Sequence, residues 1–312
     1  MKTLQELRTI YDQPLPELLW QAQEVHRTHH DPADVQRCAL LSIKTGGCPE
    51  DCGYCSQSAH YETPVENDAL MNVEEVRRRA EQAKELGATR FCMGAAWREV
   101  KDGPQFERVL EMVRIVRDLD MEACVTLGML NEEQAGRLHE AGLTAYNHNL
   151  DTSRRHYPNI ITTRTYDERI RTLEAVQKAN ISVCCGGIVG MGENEDDRLM
   201  MLAELTALET PPESVPINSL VPIAGTPLEN ARQVDSVELV RLIATTRIVF
   251  PKARVRLSAG RDRMSRELQI LCFLAGANSI FFGDKLLTAD NPDASDDAKL
   301  FRAMGLPVLS SS

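Results

Sequence analysis

The chain has 312 residues, of which 43% are apolar, and its 46 acidic side chains outnumber the 35 basic ones to give a formal net charge of −11. This acidic balance disfavours nucleic acids and anionic membranes as partners, and the length suits either two average domains or one large α/β barrel. A chain with no signal-peptide pattern at its start, no apolar run of membrane length and nine cysteines is expected to be cytoplasmic, with its cysteines reduced.

Short apolar runs rich in β-branched residues alternate along the chain with amphipathic stretches of helical period. The first 35 residues carry two helical patterns, which we expect to pack outside the main fold. The predicted strands are 39–44, 90–95, 122–127, 145–150, 182–189, 215–221, 253–258 and 279–282. The predicted helices between them are 73–86, 106–119, 132–141, 166–179, 196–208, 237–249 and 264–275. Left-handed helix caps are expected at Gly87, Gly142, Asn180 and Asn278.

Strands that alternate with helices in this way predict an α/β fold, a (β/α)8 TIM-type barrel with extra N-terminal helices. We expect one domain over residues 1–312, with a helical extension at 1–35, the barrel at about 36–285 and a C-terminal tail at 286–312. The active site of such a barrel lies where its strands run into the following loops.

Three cysteines, Cys48, Cys52 and Cys55, form a C-x3-C-x2-C pattern in the loop directly after the first predicted strand. Thiolates this close together are typical of iron–sulfur ligation. A cluster of four irons normally takes four cysteines, and no fourth follows nearby, so one iron would be open to a ligand that is not protein. Two alternatives remain: a Cys3His zinc site that includes His60, and three thiols without a metal.

A second set of cysteines lies in predicted strands. Side chains alternate along a strand, so only one of Cys184 and Cys185 can face the barrel axis together with Cys92 and Cys124. Arg256, on the seventh predicted strand, is costly in a barrel core without an anion beside it, and a thiolate-bound cluster is such an anion. The alternative is that these cysteines only fill space. We interpret Cys38, which precedes the first predicted strand, and Cys272, on an apolar helix, as packing residues.

The fourth predicted strand is unusually polar. Asn147, Asn149 and Asp151 alternate along it, and facing inward they would offer amide and carboxylate groups to a polar ligand. Asn218, on the sixth predicted strand, adds another amide. The alternative is a buried polar network that stabilises the barrel. His148 has the opposite parity and is expected to be structural.

The cysteine loop after the first strand of an α/β barrel resembles the signature of radical S-adenosylmethionine (SAM) enzymes. With the strand cysteines, the segments 146–152, 186–193 and 255–260 resemble the biotin synthase family among them, over about residues 38–282. The resemblance implies that Cys48, Cys52 and Cys55 hold a 4Fe–4S cluster whose fourth iron binds SAM. It also implies an inner 2Fe–2S cluster with four ligands, which are Cys92, Cys124, Cys184 and Arg256.

The same resemblance implies further site residues. The positions that match SAM contacts are Tyr54, Asn149, Asp151, Arg169, Ile188 and Val221. The substrate, dethiobiotin, would contact Asn147, Asn149 and Asn218. The implied reaction is radical insertion of sulfur into dethiobiotin to form biotin, with SAM cleaved at the 4Fe–4S cluster, sulfur donated by the 2Fe–2S cluster and no side chain acting as acid or base.

The implied partners are reduced flavodoxin or ferredoxin as electron donor and a second copy of the chain in a homodimer. Another radical SAM enzyme, such as a hydrogenase-maturation or lipoate-type sulfur inserter, would explain the cysteine loop equally well. It would explain the inner cysteines and the polar strand less readily. A non-catalytic iron–sulfur or zinc protein is the alternative from a different class.

Overall fold

A computed structural model describes residues 1–283 and 285–307. Within them, nine parallel strands form one sheet: β1 Gln36–Lys44, β2 Arg90–Ala95, β3 Glu122–Thr126, β4 Ala145–Asn147, β5 Ser182–Cys184, β6 Gly187–Val189, β7 Ser214–Ser219, β8 Arg254–Leu257 and β9 Ser279–Phe281. The strand order is β5-β4-β3-β2-β1-β9-β8-β7-β6, and a further pairing of β5 with β7 closes the sheet. Because β5 and β6 are two parts of one predicted strand, the sheet is an eight-stranded barrel, as predicted.

The fifth predicted strand bends between β5 and β6 for a steric reason. A Cβ atom on Gly186 would lie 2.0 Å from the carbonyl oxygen of Pro216 on β7, so the two backbones approach more closely than any other residue allows. Just before the bend, the amide of Cys185 donates to the Ser214 carbonyl at 2.9 Å. The chain thus passes β7 at Gly186 and pairs with it again as β6.

The fourth strand is shorter than predicted and ends at Asn147. Beyond it, the amides of His148 and Leu150 donate to the carbonyls of Cys184 and Gly186 at 3.0 and 3.1 Å, and Asp151 has a φ of 68°. A positive φ is unusual for a residue other than glycine and interrupts a regular strand. The polar residues 147–151 therefore lie mostly in irregular backbone at the end of the barrel.

Ten α-helices are present in the described residues: α1 Leu4–Tyr11, α2 Leu15–His29, α3 Val73–Glu85, α4 Pro104–Asp118, α5 Glu132–Glu140, α6 Tyr166–Lys178, α7 Glu195–Leu205, α8 Ser236–Val249, α9 Arg266–Leu274 and α10 Ala294–Ala303. The two N-terminal helices pack outside the barrel, as predicted. Arg8 on α1 pairs with Glu195 at 2.8 Å and Asp196 at 2.7 Å on α7. Arg241 on α8 donates to the Tyr11 carbonyl at 2.8 Å.

Positive φ angles confirm three of the four predicted helix caps, which are Gly87, Gly142 and Asn180. The prediction for Asn278 was wrong. Gly276, with a φ of 102°, follows the end of α9 instead. The side-chain oxygen of Asn278 accepts hydrogen bonds from Arg247 and from the Val255 amide, both at 2.9 Å.

The molecule has two separate buried cores. The larger one fills the space between the strands and the surrounding helices. The smaller one lies inside the barrel and consists of Cys38, Cys92, Cys124 and Ala145, with Leu40 and Phe281 against it. Cysteines therefore dominate the interior of the barrel, where branched aliphatic side chains are usual. None of the described helices is both long and apolar enough to cross a membrane.

Candidate active site

A cavity of about 330 Å³ opens at the carboxyl end of the barrel. Its walls include nearly all of the residues to which the sequence analysis gave a role. These are Cys48, Cys52, Tyr54, Cys55, Cys92, Cys124, Asn147, Asn149, Asp151, Arg169, Ile188, Asn218, Val221 and Arg256. The remaining one, Cys184, is fully buried behind the wall, with its Sγ 3.5 Å from Nη1 of Arg256. Two cysteine sets and the polar strand end therefore meet in one space.

The loop of the first cysteine set is folded by its own backbone hydrogen bonds. The amide of Cys48 donates to the Gln57 carbonyl at 2.9 Å, and that of Cys55 donates to the Cys52 carbonyl at 2.9 Å. Gly46, just before the loop, has a φ of 69°, and a Cβ atom there would lie 2.2 Å from the side chain of Asn67. The resulting tight turns bring all three thiols to the wall of the cavity.

Burial keeps these three thiols protonated unless something binds them. It raises the pKa of Cys52 to about 12 and that of Cys55 to about 11, and it also raises the pKa of Cys48. A metal that binds thiolates supplies the positive charge that such a site needs. The donor set and its location fit an iron–sulfur cluster, which is an object larger than a single ion.

The zinc alternative receives no support from the described residues. His60 is exposed, and its Nε2 lies 3.1 Å from the carbonyl oxygen of Pro49 rather than among the thiols.

A charged brace behind the cysteine loop was not predicted from the sequence. Glu50, which is buried within the loop, is hydrogen-bonded by Arg98 and by the hydroxyl of Thr163. Arg164 lies 3.9 Å from the same carboxylate and directs its Nη2 at Cys52 Sγ, 3.7 Å away. Arg164 also borders the cavity, so it brings a positive charge to the thiol site. Nothing in the sequence distinguishes these residues from ordinary solvated loop charges.

A buried carboxylate network faces the cavity beside this loop. The Tyr54 hydroxyl donates to Oδ2 of Asp151 at 2.8 Å, and Arg169 forms an ion pair with the same oxygen. The Nε of Arg169 donates in turn to the Tyr157 hydroxyl at 2.8 Å. Burial raises the pKa of Tyr54 well above its usual value, so this phenol remains a neutral donor. The network holds Asp151 and Tyr54 in fixed positions at the wall.

Three amide side chains, those of Asn147, Asn149 and Asn218, line the same cavity as the cysteines. Nδ2 of Asn147 is 3.2 Å from Oδ1 of Asn149 and 3.3 Å from Sγ of Cys184. Nδ2 of Asn218 donates to the Gly187 carbonyl at 3.0 Å. Each amide carries more donor and acceptor sites than these bonds use. The polar end of the cavity can therefore hold a ligand with its own amide-like groups.

The inner cysteines converge as predicted. Cys92, Cys124 and Cys184 face the barrel interior, where the thiol of Cys124 contacts those of both Cys92 and Cys184. Cys185 points outward instead, into the larger apolar core between the strands and the helices. The position assumed for Cys38 was wrong, because β1 begins at Gln36. Cys38 lies within the strand, fully buried inside the barrel, and its thiol contacts that of Cys92.

Arg256 is a buried cation without a carboxylate partner in the described chain. Its nitrogens donate to Oγ of Ser279 at 3.0 Å, Oε1 of Gln36 at 3.3 Å and Sγ of Cys184 at 3.5 Å. Burial lowers the pKa of Arg256, but nearby thiolates, chiefly that of Cys38, outweigh burial and raise it. A buried guanidinium of this kind requires an anion, and a thiolate-bound cluster fits that requirement.

Two parts of the cavity wall, His148 and residues 286–289, lie where the sequence did not predict them. His148 borders the cavity although strand alternation directs it away, because regular alternation stops where β4 ends. Its ring is buried, and its Nε2 has no hydrogen-bond partner in the described chain. Residues 286–289 of the expected tail also form part of the wall, and Leu287 fills the space beside Gly94, 2.6 Å from where a Cβ would lie.

Comparisons with known proteins identify families for the two parts of the chain. The model of the Radical SAM superfamily matches residues 42–205, and the model of the Biotin and Thiamin Synthesis associated domain matches residues 216–307. A biotin synthase from Gloeobacter violaceus is 60% identical over 304 residues, covering 97% of this chain and 96% of that protein. A biotin synthase from Methylobacterium nodulans is 63% identical over 307 residues, covering 98% of this chain and 92% of that protein.

Two solved structures share the fold at low sequence identity. A methylornithine synthase superposes with a TM-score of 0.79 at 19% identity, covering 99% of this chain and 94% of the other. An FeFe-hydrogenase maturase from Carboxydothermus hydrogenoformans gives a TM-score of 0.80 at 17% identity, covering 98% of this chain and 75% of the other. At such identities these matches speak only for the barrel.

Proposed function

We propose, because the chain belongs to the biotin synthase family of radical SAM enzymes, that it inserts sulfur into dethiobiotin to form biotin. The observation that carries this proposal is one cavity, whose walls contain the outer cysteine triad, Cys92 and Cys124 of the inner set, and three amide side chains. A site for SAM and a site for a sulfur source would then open into the cavity that holds the substrate.

The outer triad, Cys48, Cys52 and Cys55, would hold a 4Fe–4S cluster, and SAM would bind beside it. Of the residues expected to contact SAM, Asp151 and Arg169 form the buried ion pair, and Tyr54 donates to its carboxylate. Such a network orients polar groups of a ligand without having to reorganise. The other expected SAM contacts, Asn149, Ile188 and Val221, border the same cavity.

The inner set, Cys92, Cys124 and Cys184, would hold a 2Fe–2S cluster, with Arg256 beside it. With both clusters and SAM bound, the cofactors supply hydrogen abstraction by a radical and the sulfur atom that is inserted. The protein positions the reactants and excludes water from them. No side chain is required as a general acid or base.

Dethiobiotin would bind between the two sets through Asn147, Asn149 and Asn218. Its ureido ring carries a carbonyl and two N–H groups, which match amide donors and acceptors. A maturase-like radical SAM enzyme would use the outer triad in the same way. It would leave without a role the inner cysteines and the guanidinium of Arg256, which has no carboxylate partner among the described residues, and this favours the sulfur-insertion reaction.

The proposal extends to partners and organisation. Reduced flavodoxin or ferredoxin would deliver the electron, the chain would act in the cytoplasm as a homodimer, and residues 1–312 would work as one barrel domain. The segment that matches the Biotin and Thiamin Synthesis associated domain supplies β8, β9 and most of β7 to the same sheet as the radical SAM segment. That sharing supports a single functional unit.

The test is anaerobic reconstitution with iron and sulfide, followed by iron and sulfide counts, a visible spectrum and a biotin assay. We expect two spectroscopically distinct clusters, and biotin only when SAM, dethiobiotin and a strong reductant are all present. A colourless zinc-containing protein, or one with a single cluster that makes no biotin, would contradict the proposal.

A further inference from the structure

Arg164 brings a largely buried positive charge to the outer cysteine triad. Its side chain is 8% exposed and borders the cavity, and its Nη2 lies 3.7 Å from Sγ of Cys52. Its Nε is buried, and this N–H has no hydrogen-bond partner in the described chain. A guanidinium in such a place is costly unless an anion lies beside it.

The neighbouring carboxylate of Glu50 leaves the hydrogen-bonding capacity of Arg164 largely unused. One of its oxygens accepts from Arg98, and the other accepts from the hydroxyl of Thr163. The Nε of Arg164 lies 3.9 Å from the second oxygen, which is beyond hydrogen-bond distance. The guanidinium is therefore free to direct N–H groups at the sulfur of Cys52 and at the cavity.

The backbone on both sides of Arg164 is held in place. The amide of Thr163 donates to Oδ1 of Asp51 at 3.1 Å, and the amide of Asp51 donates to the Thr163 hydroxyl at 3.1 Å. These bonds fasten Thr163 to the cysteine loop itself. On the other side, Thr165 caps helix α6 by accepting from the Glu168 amide at 3.3 Å. Arg164 is thus preorganised beside the triad, and little ordering is needed when the site fills.

The charge of Arg164 acts on the whole triad. Burial raises the pKa of each of the three thiols, and Arg164 opposes that rise in all of them. A cation that favours thiolate over thiol also favours a cluster that has gained an electron, because both changes add negative charge beside it. Net charge and hydrogen bonds to the sulfurs are among the factors that set the reduction potential of an iron–sulfur cluster.

We propose that Arg164 raises the reduction potential of the outer 4Fe–4S cluster, through its fixed positive charge and a hydrogen bond to the Cys52 thiolate. The step that it favours is the transfer of one electron from a low-potential donor to the oxidised cluster. No proton moves in this step, because a guanidinium stays protonated. The inference rests on the proposed function, since it presumes that the triad binds this cluster. It makes Arg164 a positioning residue, although the sequence analysis gave it no role.

The experiment measures the midpoint potential of the cluster in the full-length protein after anaerobic reconstitution with iron and sulfide, before SAM is added. The protein is titrated with dithionite in the presence of redox mediators, and electron paramagnetic resonance follows the reduced 4Fe–4S cluster. The variants are Arg164→Gln, which removes the charge, and Arg164→Lys, which keeps it. Arg171→Gln, in an exposed residue of α6, is the control, because it changes the net charge equally. Iron and sulfide counts give the amount of cluster in each protein.

We expect Arg164→Gln to retain the cluster and to lower its ratio of reduced to oxidised form by about ten-fold or more at the wild-type midpoint. For a one-electron couple, ten-fold is a shift of about 59 mV to more negative potential. Arg164→Lys should stay within about three-fold of the wild-type ratio, because the charge remains. Arg171→Gln should match the wild type, because solvent screens an exposed charge. A merely structural role would lower the amount of cluster and leave the potential of the remaining cluster unchanged.

The results that would overturn the inference differ in what else they reject. If the wild type makes biotin and Arg164→Gln holds its cluster at the wild-type potential, only the role of Arg164 fails, and an equal shift in Arg171→Gln rejects it as well. If Arg164→Gln binds too little cluster to titrate, a wild-type potential in Arg164→Lys supports the role of the charge. A ten-fold shift in Arg164→Lys, or loss of the cluster there too, then rejects it. A wild type that takes up no 4Fe–4S cluster refutes the outer-cluster part of the proposed function, and the inference with it.

Discussion

At the scale of single residues, the site depends on thiols that are buried more deeply than reactive cysteines usually are. Burial raises the pKa of Cys52 and Cys55 to about 12 and 11, so free thiolate is scarce at neutral pH. Metal binding and deprotonation would therefore be linked, and we expect each thiol of the triad to act as a ligand rather than as a nucleophile.

Loss of any one triad thiol should abolish SAM cleavage. Cys48→Ala, Cys52→Ala and Cys55→Ala each leave two thiols, which is too few to hold a cluster with one open iron. The measurement is reductive SAM cleavage by the reconstituted protein with a strong chemical reductant. Cys272→Ala, in a buried cysteine of α9, is the control and should cleave SAM normally. Near-normal cleavage by any of the three triad variants would refute their assignment as ligands.

The inner set should be separable from the outer one. Cys124→Ala removes a thiol of β3 and leaves the cysteine loop intact, so it should retain some SAM cleavage and make no biotin. Cys185→Ala, which faces outward, should keep both activities with a stability loss on the order of 1 kcal/mol. Parallel assays of 5′-deoxyadenosine and biotin distinguish the two outcomes. Loss of biotin formation in Cys185→Ala but not in Cys184→Ala would show that the wrong member of the doublet was chosen.

Arg256→Lys tests the role of charge at the inner site. Lysine keeps the positive charge and loses the planar fork of donors. We expect measurable biotin formation at a reduced rate, because thiols supply the binding of the cluster. A variant that loses the inner cluster's visible absorption while all inner cysteines remain would contradict this view of the arginine.

At the scale of elements, the bend between β5 and β6 sets the geometry of the site. It lets Cys184 face inward before the bend and Ile188 reach the cavity wall after it. The bend depends on Gly186, whose position leaves no space for a side chain beside Pro216.

Gly186→Ala should destabilise the protein by about 3 kcal/mol or more, because the obstructing atom is backbone and cannot rotate away. Gly136→Ala is the matched control. Gly136 lies within α5, and no atom outside its chain neighbours and its own helix backbone lies within 4 Å of where its Cβ would be, so alanine should stabilise that helix by about 0.5–1 kcal/mol. Urea unfolding monitored by circular dichroism gives both values. A Gly186→Ala protein as stable as the wild type would show that β7 can move away.

The elements also show where reasoning from sequence succeeds and where it stops. Periodicity predicts the barrel, and cysteine spacing marks the loop after its first strand, because both are local patterns. Alternation allows only one of Cys184 and Cys185 to face inward, and the family resemblance is what selects Cys184. The start of β1, and with it the location of Cys38, depends on a hydrogen bond from the Gln36 amide to the Asn278 carbonyl, far along the chain. The Glu50 and Arg164 brace is likewise created by tertiary contacts, and nothing local signals it.

At the scale of the whole molecule, helix α2 packs on the outside of the barrel, with His26 buried on it and His30 half-buried just after its end. Both ring nitrogens of His26 are buried without a hydrogen-bond partner in the described chain. Nε2 of His30 lies 3.1 Å both from Nη1 of Arg247 and from the carbonyl oxygen of Pro251. Burial, assisted by Arg247 and Arg254, lowers the pKa of His26 and of His30 to about 4.

These histidines should make stability fall as the pH decreases from about 6.5 to about 4. In that window the unfolded chain binds protons at both rings while the folded chain does not, which favours unfolding. The stabilisation is fully present above about pH 6.5, and the pair should contribute on the order of 1–3 kcal/mol after allowing for solvent screening at His30. The measurement is urea unfolding at pH 7 and pH 5. His26→Leu should reduce the difference in the free energy of unfolding between pH 7 and pH 5, and His29→Leu, in an exposed histidine, should not. If the two variants show the same difference, the assignment to His26 is rejected.

An exposed apolar surface on α2 and α9 fits the proposed homodimer. Trp20 is 57% exposed, Leu271 42% and Leu274 50%, and Gln23 joins the two helices by donating to the Leu274 carbonyl at 2.7 Å. Apolar side chains of this size rarely cluster on the surface of a monomer without a partner.

Light scattering at micromolar concentration should therefore give about twice the 34.8 kDa mass of one chain. Trp20→Glu should shift the mass toward the monomer, because a charge would be buried at the contact, whereas Leu86→Glu, in a similarly exposed residue after α3, should not. A wild-type protein that stays at 34.8 kDa across the micromolar range would argue against the dimer, and a dimer unaffected by Trp20→Glu would show that it forms through another surface.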